Sequence, residues 1–431
     1  VNSLKLFMRI SVTINKPETA MNRRLRTFLL AAAAIVVALP SLPSAAKRAE
    51  VAPAASEAPV VIPFELVVRH IMVKVRINNS RPLSFVFDTG DKVCVVDTEV
   101  AQELGLKTEG QLRVGGAGAN TLAASYVKDA TWTLPGLEGF SQPVGLTFSL
   151  GRMAARFGHD FDGIIGSDFI RQFVIEVDYQ NRVLKLYDKE RFSYSGAGES
   201  IPIQLNQQGY PIIEGEVTPV SGEPIKGKFV LDLGSGGSLV LMSPIVADHN
   251  LLGNGAKTIR ALGVGGAGGQ SIGQIGRVKS LQLGKFAITN PFTLFSQDKA
   301  GAMASHALVG NIGQMIASKF RVFLDYGRNR IILEPNATFA DAMDRAMSGI
   351  VLITEGKDRA TVRISDVLED SPASEAGLQK DDIVVSVDDK AASELKVTKL
   401  SEMLERSQTY KLTIRRGEQT MQVSLTPRKL I

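Results

Sequence analysis

Phe85-Val86-Phe87-Asp88-Thr89-Gly90 returns 144 residues later as Phe229-Val230-Leu231-Asp232-Leu233-Gly234. Each copy is three apolar residues running into Asp-x-Gly. One such triplet arises by chance, but its recurrence within a longer repeat specifies an architecture. Upstream, Ile62-Pro63-Phe64-Glu65-Leu66 answers Ile201-Pro202-Ile203-Gln204-Leu205. Downstream, Asp97 is placed to cap a helix over 98–104, stopped by Gly105; in the second copy Ser243 takes the cap and Pro244 the first helical position. Glycine-rich loops follow, Gly115-Gly116-Ala117-Gly118 and Gly265-Gly266-Ala267-Gly268. Then come Ile164-Ile165-Gly166 and Leu308-Val309-Gly310, with short helices expected over 167–172 and 311–318. Each copy closes on a hairpin, turning at Gln180-Asn181-Arg182 and at Gly327-Arg328-Asn329-Arg330. The pattern predicts two mostly β units with short helices, over 61–198 and 199–336.

Two carboxylates brought together about a pseudo-twofold axis do not both ionise easily, so they share a proton. One then acts as base on a water while the other protonates a carbonyl oxygen or leaving nitrogen. Amide hydrolysis by that route needs no metal, no cofactor and no covalent intermediate. The Gly after each Asp lets the backbone turn and offer its N–H to the carboxylate. Against this stands the plain alternative that both aspartates merely cap turns.

These residues resemble the retropepsin-like aspartic peptidases in their single-chain, two-lobe form. The resemblance rests on Asp88-Thr89-Gly90, Asp232-Leu233-Gly234-Ser235 and the two apolar-apolar-Gly segments, and covers roughly residues 60–335. It implies two β-barrel lobes, Asp88 and Asp232 as the catalytic dyad, and Thr89, Gly90, Gly234 and Ser235 as the residues that position it. It also implies flap tips at Gly115, Gly116, Ala117 and Gly118 and at Gly265, Gly266, Ala267 and Gly268, closing over a polypeptide substrate. Two departures stand out. Leu233 lacks the hydroxyl expected after the Asp, so only Thr89 makes its half of the link between lobes; a neutral hydrogen bond lost there is worth about 0.5–1.5 kcal/mol. Asp91 adds a third carboxylate, to be offset by Lys92 or solvent. A degenerate pair that binds peptides without cutting them is the second reading.

The tail, 343–427, changes character. Ser371-Pro372-Ala373, Ala376-Gly377-Leu378 and Asp381-Asp382-Ile383 resemble a PDZ domain of the bacterial protease-associated type, with Asp381 where Gly is usual. The resemblance implies an α+β domain that binds chain termini by adding them to a sheet edge. Gly349, Ile350, Val351 and Leu352 are the candidate edge and carboxylate loop. A domain that only packs on the lobes is the alternative. Residues 336–347 read as a linker helix, and a further helix is expected over 395–405.

The 49 basic and 44 acidic residues give a net charge of +5, but six of the basic and one of the acidic residues lie in 1–46. The remaining 43 and 43 balance, so the basic pI does not imply a nucleic-acid partner. That N-terminus reads as an export signal over 21–46: Asn22-Arg23-Arg24-Leu25-Arg26, an apolar run over 28–39, then small Ser44 and Ala46 before a cleavage point. The run is short for a bilayer span, so the membrane is a partner only if the signal stays uncleaved. Residues 47–60 read as a flexible tail, and a periplasmic location is expected. Cys94 is the only cysteine, which excludes an intramolecular disulfide and a cysteine-rich metal site; its apolar context predicts a buried structural thiol.

Three rival constellations fail on context. Gly234-Ser235-Gly236-Gly237 superficially matches a trypsin-like nucleophile loop, with His70 as base, but His70 lies in an alternating strand and the repeat goes unexplained. Gly263-Val264-Gly265-Gly266-Ala267-Gly268 matches a dinucleotide fingerprint, yet a poor helix start follows it. His70, His159, His249 and His306 hold no zinc spacing. His159 and Asp160 read as a solvated loop.

Overall fold

In both halves the Asp-x-Gly turn leaves the end of a buried strand. The computed structural model describes residues 58–431 except 143–144, 158, 254 and 357–358. The export signal expected at 21–46 and most of the flexible tail expected at 47–60 lie outside these residues; Val60, at the end of that expected tail, instead opens a strand and pairs with Leu186. Leu83–Phe87 runs parallel to Gly163–Ile165, which pairs antiparallel with Val95–Asp97. Ile225–Leu231 runs parallel to Gly310–Ile312, which pairs antiparallel with Leu239–Leu241. The apolar triplets fit this because a strand buried on both faces has no solvent side to keep polar.

The ladder corrects the register expected from the repeat. Asp88 N–H donates to Ile165 O and Asp232 N–H to Ile312 O, both at 2.9 Å. Gly163 pairs with Phe85 and Gly310 with Phe229. The partner of Gly166 is therefore Gly313, not Gly310; both begin short helices, at φ −101° and −100°. The second copy has three more residues between its aspartate and this glycine, and Leu308-Val309-Gly310 imitates the motif one turn too early. The helices span Ser167–Ile170 and Gln314–Ala317, shorter than the expected 167–172 and 311–318.

One antiparallel sheet joins the halves, in the order Val60–Val67, Val183–Tyr187, Val174–Asp178, Phe320–Asp325, Arg330–Pro335, Glu199–Leu205. Its central seam pairs Ile175 with Leu324 and Val177 with Val322, all buried. Full burial of each such side chain stabilises by about 1.5–3 kcal/mol, so the seam resists hinging. The expected turns close these hairpins, with Arg182 and Asn329 left-handed at φ 55° and 50°.

Local chemistry explains the remaining elements. Asp97 caps Thr98–Glu103, accepting from the N–H groups of Glu99 and Val100. Ser243 does not cap its helix: Ser243–Asp248 begins with it, Met242 is the extended N-cap, and the Ser243 hydroxyl donates to Asp298 O. Residues 336–347 form no helix. Asn336 holds a turn by accepting from Thr338 N–H, and Lys319 Nζ gathers the carbonyls of Thr338, Phe339 and Asp341, which occupies acceptors a helix would use.

The C-terminal sheet runs Ile350–Glu355, Thr361–Val367, Ile383–Val387, Tyr410–Arg416, Gln419–Leu425. Ile350–Glu355 is an edge strand, as expected. Its entry needs glycine: Gly349 has φ 86°, and a Cβ there would overlap Ser371. Ser371 and Ser374 form a capping box with Pro372 in the first turn. Asp381 holds φ 72°, which explains why glycine suits that position, and it pairs with Arg363. The last helix spans Ala392–Met403, starting ahead of the expected 395–405 and broken at left-handed Lys396.

This domain packs on the lobes. Helix Gly151–Phe157 lies against Ile350–Glu355, with the Thr354 hydroxyl donating to Ala155 O. Arg260 reaches Asp366 and Val367 O, and Arg359 pairs with Asp160. Asp160 is thus an interdomain partner rather than part of a free solvated loop. Gly349→Ala is expected to destabilise the C-terminal domain by about 1–3 kcal/mol through backbone strain and overlap. Urea unfolding of the full chain, followed by domain-resolved hydrogen exchange, checks this.

Candidate active site

The two Asp-x-Gly turns face each other so closely that each carboxyl fills the space a side chain on the opposite glycine would take. A Cβ on Gly90 would lie 2.7 Å from Asp232 Oδ1, and one on Gly234 would fall inside the Asp88 carboxyl. Neither glycine has a positive φ, so close approach, and not backbone freedom, demands them. Each also donates its N–H to its own aspartate: Gly90 to Asp88 Oδ1 at 2.6 Å and Gly234 to Asp232 Oδ1 at 2.9 Å. Ser235 contributes through its backbone, with its N–H on Asp232 O and its carbonyl accepting from Gln314.

Thr89 makes its half of the link between lobes. Its buried hydroxyl donates to Leu231 O at 2.6 Å and accepts from Leu233 N–H at 2.9 Å. Leu233, wholly buried, packs in the core instead of returning the bond. A second cross-lobe link stands nearby: Tyr179 Oη donates to Gln314 Oε1 at 2.5 Å, and Gln314 Nε2 donates to Leu233 O at 2.6 Å. Its residues were not singled out in the sequence, because the slipped register hid Gln314 as the counterpart of Ser167.

The pair is electrostatically unequal. Burial pushes the Asp88 carboxyl well above the usual carboxylate range, and the charges of Asp232 and Asp91 push it further. Burial also raises Asp232, but Asn311 Nδ2, donating to Asp232 Oδ2 at 2.9 Å, and the Gly234 N–H favour its charged form. The hydrogen bond between the two carboxyls acts in the same sense, raising Asp88 and lowering Asp232. The donors on Asp232 thus bias the proton of the pair towards Asp88. Asp91 is itself raised to about 7 by burial, and Lys92 is exposed and forms no ion pair with it among the described residues.

Asn311 is the functional residue the sequence reading missed. It takes the place of Ile164 in the first half, and its side chain is buried. An isolated Asn inside Leu308-Val309-Gly310-Asn311-Ile312 was the available signal, since a buried amide requires partners.

The glycine-rich loops sit at hairpin ends, as expected. Residues 115–118 follow Lys107–Val114, which pairs with Leu122–Lys128. Gly265–Gly266 pairs with Gly269–Gln270. The two tips meet: Asn120 N–H donates to Gly268 O at 2.9 Å, and a Cβ on Gly118, at φ 92°, would strike the Gly268 backbone. Cys94 is buried, its thiol donating to Asp168 Oδ1. His70 stacks on Phe157 at 4.3 Å and bonds Val67 O through Nδ1. Among the described residues no cluster of three His, Cys, Asp or Glu is arranged to hold a metal ion, and no helix is long and apolar enough to cross a membrane.

Fold and site together define a retropepsin-like protein with a C-terminal PDZ domain. Residues 73–169, which include Asp88-Thr89-Gly90 and Gly166, match the aspartyl protease family model, and residues 363–416 match the PDZ domain model. The chain is also similar to the protein named serine protease HTRA1 from Xenopus laevis, 36% identical over 67 residues. That match covers 16% of this chain and only 14% of the relative's length. The architecture is accordingly protease-like.

Thr89→Val leaves Leu231 O and Leu233 N–H without partners in a dry junction. It is expected to cost about 2–4 kcal/mol in thermal or urea unfolding, the sum of two unsatisfied groups. Asn311→Leu removes a donor that favours ionised Asp232, so the apparent pKa of Asp232 rises. Carboxyl carbon shifts followed by NMR across a pH titration read that change directly.

Proposed function

We propose that this chain is an aspartic endopeptidase that hydrolyses exported or misfolded polypeptides with Asp88 and Asp232. The observation that carries the reading is the mutual enclosure of the two carboxyls, each seated on the other's glycine and both pushed above the usual carboxylate range, which favours one shared proton. Asp232, ionised and steadied by Asn311, accepts a proton from a water held between the pair. Asp88, protonated, donates to the carbonyl oxygen of the peptide as the water adds. Collapse of the resulting tetrahedral diol returns a proton to the leaving nitrogen. The touching glycine-rich tips form the flaps that exclude bulk water, which strengthens the electrostatics beneath them.

The PDZ domain supplies a polypeptide-binding surface, with Gly349, Ile350, Val351 and Leu352 as the strand that takes a chain terminus. The export signal expected at 21–46 supports a location outside the cytoplasm. A serine mechanism finds no support in the site: His70 Nδ1 bonds Val67 O, and the ring stacks on Phe157. The unreturned bond at Leu233 favours one second reading, a lobe pair that binds peptides without cutting.

Cleavage of a diverse peptide mixture between about pH 3 and 8, which spans carboxylate titration, separates the two. Wild type is expected to cut, with Asp88→Asn and Asp232→Asn silent. Binding without turnover in the wild type, or full activity in either variant, rejects the peptidase.

A further inference from the structure

Arg69 stands at the tip of the hairpin between Val60–Val67 and His70–Ile77. Val68 and Arg69 are both left-handed, at φ 47° and 64°, an uncommon conformation that is least favourable for β-branched Val68. This turn aims the guanidinium across the boundary between the halves. Nε donates to Gly236 O at 3.0 Å, and Nη1 donates to both oxygens of Glu405 at 2.9 and 3.2 Å. Gly236 lies four residues past Asp232, in the turn whose Ser235 and Gly237 carbonyls accept from Gln314 and Met315. Glu405 belongs to the PDZ domain, just past helix Ala392–Met403. It also accepts from Arg345 Nη1 at 2.7 Å.

The neighbouring His70 strengthens the junction. It is buried, and a Cβ on Gly236 would lie 2.9 Å from its Cε1. Its other side stacks on Phe157, the last residue of the helix that packs on edge strand Ile350–Glu355. One tripeptide, Val68-Arg69-His70, thus touches the second Asp-x-Gly turn, the end of a PDZ helix and the helix lying on the PDZ edge.

The geometry points to Arg69 as a positioning residue for the turn that bears Asp232, with Glu405 of the PDZ domain holding Arg69 in register. This rests on the peptidase reading for its kinetic consequence, but not for its structural one. Arg69 and Glu405 are 39% and 32% exposed in their side chains, so the ion pair by itself adds little stability. Its value lies in geometry. A planar fork fixed at one end by a carboxylate presents its Nε in one direction, which a lysine does not do. Small displacements of a reacting group are costly to rate even where the fold is unchanged.

The test uses the full chain with Arg69→Met, Arg69→Lys, Glu405→Gln and the Arg69→Met/Glu405→Gln double variant. Steady-state cleavage, melting temperature and hydrogen exchange of residues 232–237 are measured together. Both Arg69 variants are expected to lower kcat about tenfold while KM moves less than about threefold, the pattern of a misplaced group rather than of lost binding. Glu405→Gln lowers kcat in the same direction by less, and the double variant is no worse than Arg69→Met, because both act through one contact. Exchange at 232–237 speeds up in all four while residues 85–90 keep wild-type exchange. Unchanged exchange at 232–237, or losses from Arg69→Met and Glu405→Gln that add in full, overturns the proposal. If wild type cuts nothing, the peptidase reading fails alone. The exchange comparison then decides the role of Arg69, faster exchange supporting it and unchanged exchange rejecting it.

Discussion

Two carboxyls held face to face in a half-buried site repel unless a proton sits between them, and everything around Asp88 and Asp232 serves to keep them close regardless. Their separation is set by backbone. Each Asp-x-Gly turn is bonded to the strand beside it, through Ile165 O and Ile312 O. The shared sheet seam, the Thr89 bridge and the Tyr179–Gln314–Leu233 chain then fix one half against the other. A group whose ionisation is opposed this strongly lowers the stability of the fold as pH rises through its folded pKa, so the junction must supply the compensating energy. Buried, bidirectional hydrogen bonds and a seam whose core-facing pairs, Ile175 with Leu324 and Val177 with Val322, are apolar are the means seen here.

The second half uses other devices than the first. It carries Leu233 where the first has the Thr89 hydroxyl, so no symmetrical exchange of bonds crosses the axis. It has Asn311, which favours the charged form of Asp232, and Gln314, which links Leu233 O to Tyr179 of the first half. Leu233 itself is completely buried, so this position contributes apolar packing where Thr89 of the first half contributes hydrogen bonds. This difference keeps the junction dry and changes the balance between the two acids.

Much of this was legible in the sequence because it is local or repeated. The paired Asp-x-Gly turns, the Asp97 cap, the hairpin turns and the PDZ edge at Gly349 all follow from residue types at fixed spacing. Failures came where one local signal had two solutions. Leu308-Val309-Gly310 and Asn311-Ile312-Gly313 both end in glycine, and only the strand ladder tells which glycine begins the helix. Ser243 was a plausible cap whose hydroxyl found Asp298 instead, and 336–347 lost its helix to Lys319, which collects the carbonyls. Contacts such as Arg69 to Gly236 and Glu405 join positions 167 and 336 residues apart. No periodicity records them, since they depend on how three finished units dock.

The inequality between Asp88 and Asp232 has a consequence for direction. In a strictly twofold site, a peptide laid across the dyad N-to-C meets the same acid and base as one laid the other way, and the two orientations are degenerate. Here Asn311 lies on one side of the axis and Asp91 on the other. On the proposed peptidase reading, the carbonyl of a bound peptide points at the carboxyl that holds the proton, so the two orientations cease to be equivalent. Two halves that differ in this way give the site a polarity that two identical halves lack.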